Sequence, residues 1–379
     1  MSTPTARFGR ARLVALQAGL GCAATGVVIA GPWGYSLAGG GAALLAGALL
    51  RRDGEWLDQR LLAGLRRGAL TPEPPARAAD DPQWLGLAHT VLPALDVVEV
   101  ENRNGPTLGV LADGRGLAAV LACPSGALPT LPVGLLGDFL TRDPAGPATA
   151  QLLVEQFGVP PWDHEHRYQP TIAYRQLPTQ QRPVALRALL VVRYEPWEAP
   201  AAAERRGGGA RGERAAVAAA TARLRARLAA QGVRCAPLGP EALRALLRET
   251  GDPDGRGQPL PGVWAGASAT HCVAGAAVPD QPSWTRLLGT LVGSATDRVI
   301  TAATLRAESH GVSVRVGVRL VSAVPAQANA ERERLTAAGV LSARPPETRA
   351  GLLATLPLAH PASPLTEATG LLPVPSARG

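Results

Sequence analysis

The stretch "LDVVEVENRNGPTLGVLADGRGLAAVLAC", residues 95–123, decides how the chain folds. Upstream, apolar residues come in one long run. Here they come in short segments with a period of two, each closed by turn residues. Asn104-Gly105 and Asp113-Gly114 are hairpin signals, because both dipeptides tolerate positive φ. Three successive strands are therefore expected, and with them a sheet.

Downstream, "LPVGLLGDFLTRD" predicts a helix ending near Asp143, and "ATAQLLVEQF" and "VALRALLVVRYE" predict strands. A helix is expected from about Arg214 to Gln231, with Val217, Ala220, Leu224 and Leu228 as its buried stripe. "GVRCAPL" reads as a short strand, and "GPEALRALLRET" as a helix opened by Pro240. In the last third, "RVITAATLRA" and "VSVRVGVRLVSA" form a hairpin across "ESHG", and "AQANAERERLTAAG" is a helix stopped by Gly339. This mixture implies an α/β region over 83–379, with room for two subdomains and no clear sequence repeat.

Working towards the N-terminus, "TPEPPARAADDP" reads as a linker by composition. Trp56, Leu61 and Leu65 share one face of a short juxtamembrane helix within 51–82. Residues 13–50 carry no charge. As one helix they would reach about 57 Å, far more than a hydrocarbon core of about 30 Å. "GPWGY" interrupts them, so a transmembrane helical hairpin is expected, with spans at about 13–30 and 35–50. Arg7, Arg10, Arg12, Arg51 and Arg52 flank its outer ends, and none lies in the turn. The positive-inside rule then puts residues 1–12 and everything after 52 in the cytoplasm. No A-x-A-like cleavage site follows the first run, so a signal peptide is not the reading. In the second span Gly39, Ala43 and Gly47 recur every four residues. They offer a smooth face for another membrane helix.

The net charge of +8 comes entirely from arginine, since the chain has no lysine. Residues 1–52 hold five arginines and no acid, whereas the rest holds 33 arginines against 30 acids. An excess placed beside an apolar segment points to membrane lipid and away from nucleic acid. The four cysteines are far apart in sequence and lack C-x-x-C spacing, which signals neither a zinc site nor a disulfide framework.

Candidate chemistry is thin. "ERRGGGARGER", residues 204–214, formally contains G-x-G-x-x-G. It lacks the preceding strand and the acid about 20 residues on that a dinucleotide site requires, and it is no Walker loop. Arg205, Arg206, Gly207 and Gly209 are instead expected in a surface loop or partner contact. "WDHEHRY" places His164 and His166 on one face as possible metal ligands, without a third. Ser268, His271 and Cys272 lie close together but outside any nucleophile-elbow context. "GDPDGRG" reads as a turn that lacks the spaced ligands of a calcium loop. No catalytic, cofactor-binding or metal residue is assigned, and no cofactor is expected.

The order of these landmarks resembles the EccE family, the inner-membrane component of actinobacterial type VII secretion systems. The span pair, the arginine-flanked exit, the meander, "LPVGLL" and "RRGGGARGERAAVAAATARLRARLAAQGV" carry the resemblance, which covers the chain to about residue 250. The resemblance implies a multi-pass protein of the cytoplasmic membrane with both termini inside. It also implies a hetero-oligomeric complex with the membrane components EccB, EccC and EccD, in which EccC is the ATPase. The implied role is structural and non-catalytic, in support of protein export. The alternative is a membrane-anchored cytoplasmic enzyme acting on an anionic or nucleotide-sugar substrate. That reading needs converging acids or a true phosphate loop.

Overall fold

The structure is a computed structural model. It describes residues 10–29, 31–49, 51–52, 55–56, 84–101, 107–124, 132–157, 173, 176–178, 184–308, 311–360 and 367–368. The chain forms two compact units, Met1–Pro72 and Glu73–Gly379.

In the first unit, α1 (Arg10–Ile29) and α2 (Pro32–Leu49) form an antiparallel pair. Gly31, at φ +113°, makes the turn, and Tyr35 N donates to Gly31 O at 2.9 Å. Pro32 therefore opens α2, a position where its missing N–H costs nothing. Gly19, Gly26, Gly34 and Gly41, seven residues apart on each helix, are the buried contact. A Cβ at Gly26 would lie 2.5 Å from Ala38 N, and one at Gly41 would lie 2.5 Å from Ala23 N. The backbones touch, and only glycine permits it.

The expectation of two spanning helices needs correction. No helix among the described residues is long and apolar enough to cross a membrane. The physical reason is composition. The first helix takes in Arg10, Arg12 and Gln17, and the 18-residue second helix is rich in glycine, which adds little apolar surface. The juxtamembrane helix also changes form. Glu55–Trp56 (β2) pairs with Arg51–Arg52 (β1) as a two-residue antiparallel ladder. Leu61, Leu65 and the linker at 71–82 lie outside the described residues.

The second unit is built on one antiparallel sheet. The meander is β3 (Asp96–Val100), β4 (Leu108–Ala112) and β5 (Leu117–Cys123). After a five-residue helix, α3 (Leu87–Val91), and this meander come α4 (Val133–Arg142), β6 (Thr149–Phe157) and β7 (Ala185–Tyr194). Next are α5 (Pro200–Glu204), α6 (Gly209–Ala230), β8 (Ala236–Pro237) and α7 (Pro240–Thr250). The remainder is β9 (Gly257–Leu260), β10 (Val263–Gly266), β11 (Thr270–Ala276), α8 (Gln281–Val292), β12 (Arg298–Glu308), β13 (Gly311–Ser322), α9 (Pro325–Ala337), α10 (Thr348–Ala354) and β14 (Glu367–Ala368).

The sheet runs β3-β4-β5-β7-β6-β12-β13-β11-β10-β9, with β8 on β5 and β14 on β13. This order is a palindrome of one unit used twice: a three-stranded meander, a helix, a hairpin, a helix, a return to the meander, and a last helix. The two units meet where β6 pairs with β12. Equivalent hydrogen bonds follow the repeat. Ala148 N donates to Arg193 O at 2.8 Å before β6, and Asp297 N donates to Val321 O at 3.0 Å before β12. After the long helices, Leu238 N donates to Val120 O at 3.0 Å and Ser342 N to Gly275 O at 2.8 Å. The two halves therefore share one sheet, although no repeat shows in the sequence.

Strand alternation sends residues to two faces. Leu152, Val154, Leu190, Val316 and Val318 meet α4, α6, α8 and α9 on one face. Leu153, Leu189, Val191 and Ile300 meet α3, α7, α10 and residues 356–359 on the other. Val217, Ala220, Leu224 and Leu228 are all buried in α6, as their spacing predicts.

Candidate functional site

The second face carries charges where apolar residues would be the default. Arg187, Glu155, Ile300, Arg319 and Val273 stand in register across β7, β6, β12, β13 and β11. One pleat further on, Arg298 pairs with Val321, and Val321 with His271. The C-terminal end of α7 closes over this row with Glu249, Thr250 and the following Asp252.

The contacts are specific. Arg187 Nε pairs with Glu155, whose side chain is fully buried, and Arg187 Nη1 lies 2.7 Å from Glu249 Oε2. Arg298 Nη1 donates to the Glu249 carbonyl. Arg319 Nη2 donates to Thr250 O at 2.7 Å and to Thr355 O at 3.2 Å. Arg187 and Arg298 lie over the Phe157 ring, at 5.2 and 4.9 Å from its centroid. Burial acts against the Arg187 charge, but Glu155 and Glu249 outweigh it and hold the guanidinium above its usual range. Burial pushes Arg319 down to about 9, and it also lowers Arg298. Several buried atoms have no hydrogen-bond partner, among them Arg319 Nε and Nη1, Glu155 Oε1 and Thr250 Oγ1.

Three arginines face three carboxylates, so the row is charge-balanced within the protein. Asp252 Oδ2 and His271 Nε2 are 3.7 Å apart, too far for a hydrogen bond. Burial pushes His271 down to about 4 and so keeps it neutral at pH 7. Burial alone would raise Asp252; His271 and the backbone N–H of Asp254 outweigh it and lower its pKa. A second buried set lies at the opposite end of β7. Arg193 Nη1 is 2.8 Å from Asp113 Oδ2, and Arg193 Nε is 2.8 Å from Glu195. His360, near this pair, is pushed down to about 4 by burial.

The sequence candidates fare differently. His271 and Cys272 are adjacent on β11, so they point to opposite faces. Cys272 packs in the first core and donates to Asn329 Oδ1 at 3.5 Å. The grouping of Ser268, His271 and Cys272 is thus no catalytic couple. His164 and His166 lie outside the described residues, and no metal-binding group occurs among the described residues.

The glycine loop is an ordered helical corner. Gly207, Gly208 and Gly209 all have positive φ, at +101°, +69° and +55°. Gly208 N donates to Ala203 O, and Gly212 packs so closely that a Cβ would lie 2.3 Å from Ala203 O. Arg205 Nη2 donates to Pro144 O, and Arg206 Nη1 to Ala202 O, both at 2.7 Å. The loop ties α5 to α6, and α6 begins at Gly209, earlier than Arg214. In the hairpin, Gly39 and Ala43 are exposed and Gly39 faces open space, turned away from the α1 contact. Gly47 follows one turn later on the same stripe.

One pair was invisible to spacing. Cys123 and Cys235, read as distant, lie with their sulfurs 2.7 Å apart. The buried charge row was also missed. Its signal was present as single charges in apolar strands, such as Glu155 in "QLLVEQF" and Arg319 in "VGVRLVS".

The family model described as "Putative type VII ESX secretion system translocon, EccE" matches residues 184–276, from β7 to β11. The match takes in the glycine corner, α6, Cys235, the end of α7 and His271. No curated protein matches the chain.

Proposed function

We propose that this chain is a structural, non-catalytic subunit of a type VII secretion membrane complex, assembled with EccB, EccC and EccD. The observation that carries the proposal is the EccE match over 184–276, which runs from β7 through α6 and α7 to β11. The polar chemistry supports it. Arg187 of this segment pairs with Glu155 and Glu249 inside the fold, and burial keeps His271 neutral at pH 7.

The hairpin is the membrane-associated part in this reading. Val28 is 82% exposed and Trp33 85%, and Leu20, Val27, Ile29 and Tyr35 are also open. Apolar side chains turned outward from a glycine-packed pair suit lipid or the membrane helices of partner subunits. Gly39, Ala43 and Gly47 provide the face for close approach. Deleting the gene should stop export of the system's substrates, and the wild-type chain should restore it. A deletion strain that exports normally would end the proposal.

A further inference from the structure

We infer that Cys123 and Cys235 form an oxidative modification site, a dithiol that closes to an intramolecular disulfide across two antiparallel strands. The register carries the inference. β8 pairs with β5 as Leu121↔Pro237 and Ala122↔Ala236, which sets Cys123 opposite Cys235 as the next pair. The Leu238 N to Val120 O bond shows that the polar groups of residue 120 point at the returning strand. Residue 122 points the same way, and residues 121 and 123 point to β7. Cys123 and Cys235 thus face each other at a non-hydrogen-bonded position. There the Cα atoms of an antiparallel pair sit about 4.5 Å apart, inside the disulfide window.

Packing agrees with register. Cys235 lies in the first core and Cys123 packs against it, so both side chains leave the sheet on one face. Their sulfurs are 2.7 Å apart. Cys123 is half-buried, which gives a small oxidant access to one sulfur. The hydrogen bond between the two sulfurs pushes the Cys123 thiol up and lowers Cys235. Cys272 is buried and engaged with Asn329, and Cys22 belongs to the other unit. No third ligand joins the pair to make a metal site among the described residues.

The oxidant is a low-molecular-weight disulfide, RSSR. One cysteine thiolate attacks it, forming a protein–SR bond, breaking the RS–SR bond and releasing RS⁻. The second cysteine, deprotonated in turn, attacks the protein sulfur, forms the cross-strand bond and releases the second RS⁻. Two protein thiols lose two electrons and two protons, and RSSR becomes two RSH. The new bond would fix the segment leaving α6 to the end of β5. The second repeat makes the same return through Ser342 and Gly275 but has no cysteine there.

The test equilibrates the full chain with oxidised glutathione, alkylates it in denaturant and maps it by mass spectrometry. The expected product is two alkyl groups lighter than the reduced, fully alkylated chain, with a Cys123–Cys235 linked peptide and alkylated Cys22 and Cys272. Cys272→Ser should retain that product, and Cys123→Ser should lose it. Because Cys123 is half-buried, its serine variant should fold, which circular dichroism would verify. Stable glutathione adducts at Cys123 beside an alkylated Cys235, or a link through another cysteine, would overturn the inference.

Discussion

Replacing Glu155 by glutamine tests whether the buried row is a structural element. The side chain is fully buried, it pairs with Arg187, and the guanidiniums of Arg298 and Arg319 lie on the same face. Removing the carboxylate charge leaves two buried cations, Arg298 and Arg319, and the part-exposed Arg187 around a neutral amide. Breaking a buried ion pair costs about 3–5 kcal/mol. The amide still accepts one bond from Arg187, so the lower end, about 3 kcal/mol, applies. With a urea slope of about 3 kcal/mol/M for a unit of this size, the midpoint should fall by about 1 M. Urea unfolding of the full chain followed by tryptophan fluorescence reads this, since Trp264 and Trp284 are buried. Glu249→Gln is the control. Its side chain is 29% exposed, so solvent screening holds the loss to about 1 kcal/mol or less. Equal effects of the two variants, or an unmoved midpoint for Glu155→Gln, would refute the reasoning.

Other consequences follow from the same structure. His271 and His360 are held by burial near pKa 4 in the native state, against 6.5 ordinarily. The unfolded chain therefore takes up protons first. Stability is full above pH 6.5 and falls as pH drops from 6.5 through 4, by up to about 1.4 kcal/mol per pH unit for each histidine. Urea midpoints at stepped pH should show that slope, and replacing both histidines by glutamine should flatten it. Gly212→Ala forces a Cβ against the Ala203 carbonyl and should lower the thermal midpoint more than Gly207→Ala, where only the positive φ, costing about 1 kcal/mol, opposes the change. Gly26→Leu should splay α1 from α2, measured as lost engineered cross-linking between the helices. Gly39→Leu faces open space and should leave that cross-linking intact while weakening recovery of partner subunits.

Much of the fold was legible because period and turn chemistry agreed. The meander at 95–123, the β12–β13 hairpin and α6 all carry strong patterns, and the structure has them. The 257–266 hairpin was not legible: Pro259 and the glycines around it hide the alternation. The palindromic order was hidden for another reason. The two halves share topology and hydrogen bonding while their side chains differ, and connections of very different length separate the hairpin strands. The site was less legible still. Period two tells which residues share a face, but not that Arg187, Glu155 and Arg319, far apart in sequence, would align across four strands. The cysteines show the same limit, since only strand register brings Cys123 opposite Cys235. The hairpin shows the converse. Its helices were readable, but the four-residue spacing drew attention to Gly39 and Ala43, whereas the internal contact uses glycines seven apart.

Membership of a membrane secretion assembly fixes the composition of the isolated particle. The tagged chain, extracted from its native membrane in mild detergent, should elute as a large particle containing EccB, EccC and EccD at fixed ratios. Elution as a lone monomer, with none of those subunits present, would contradict the account.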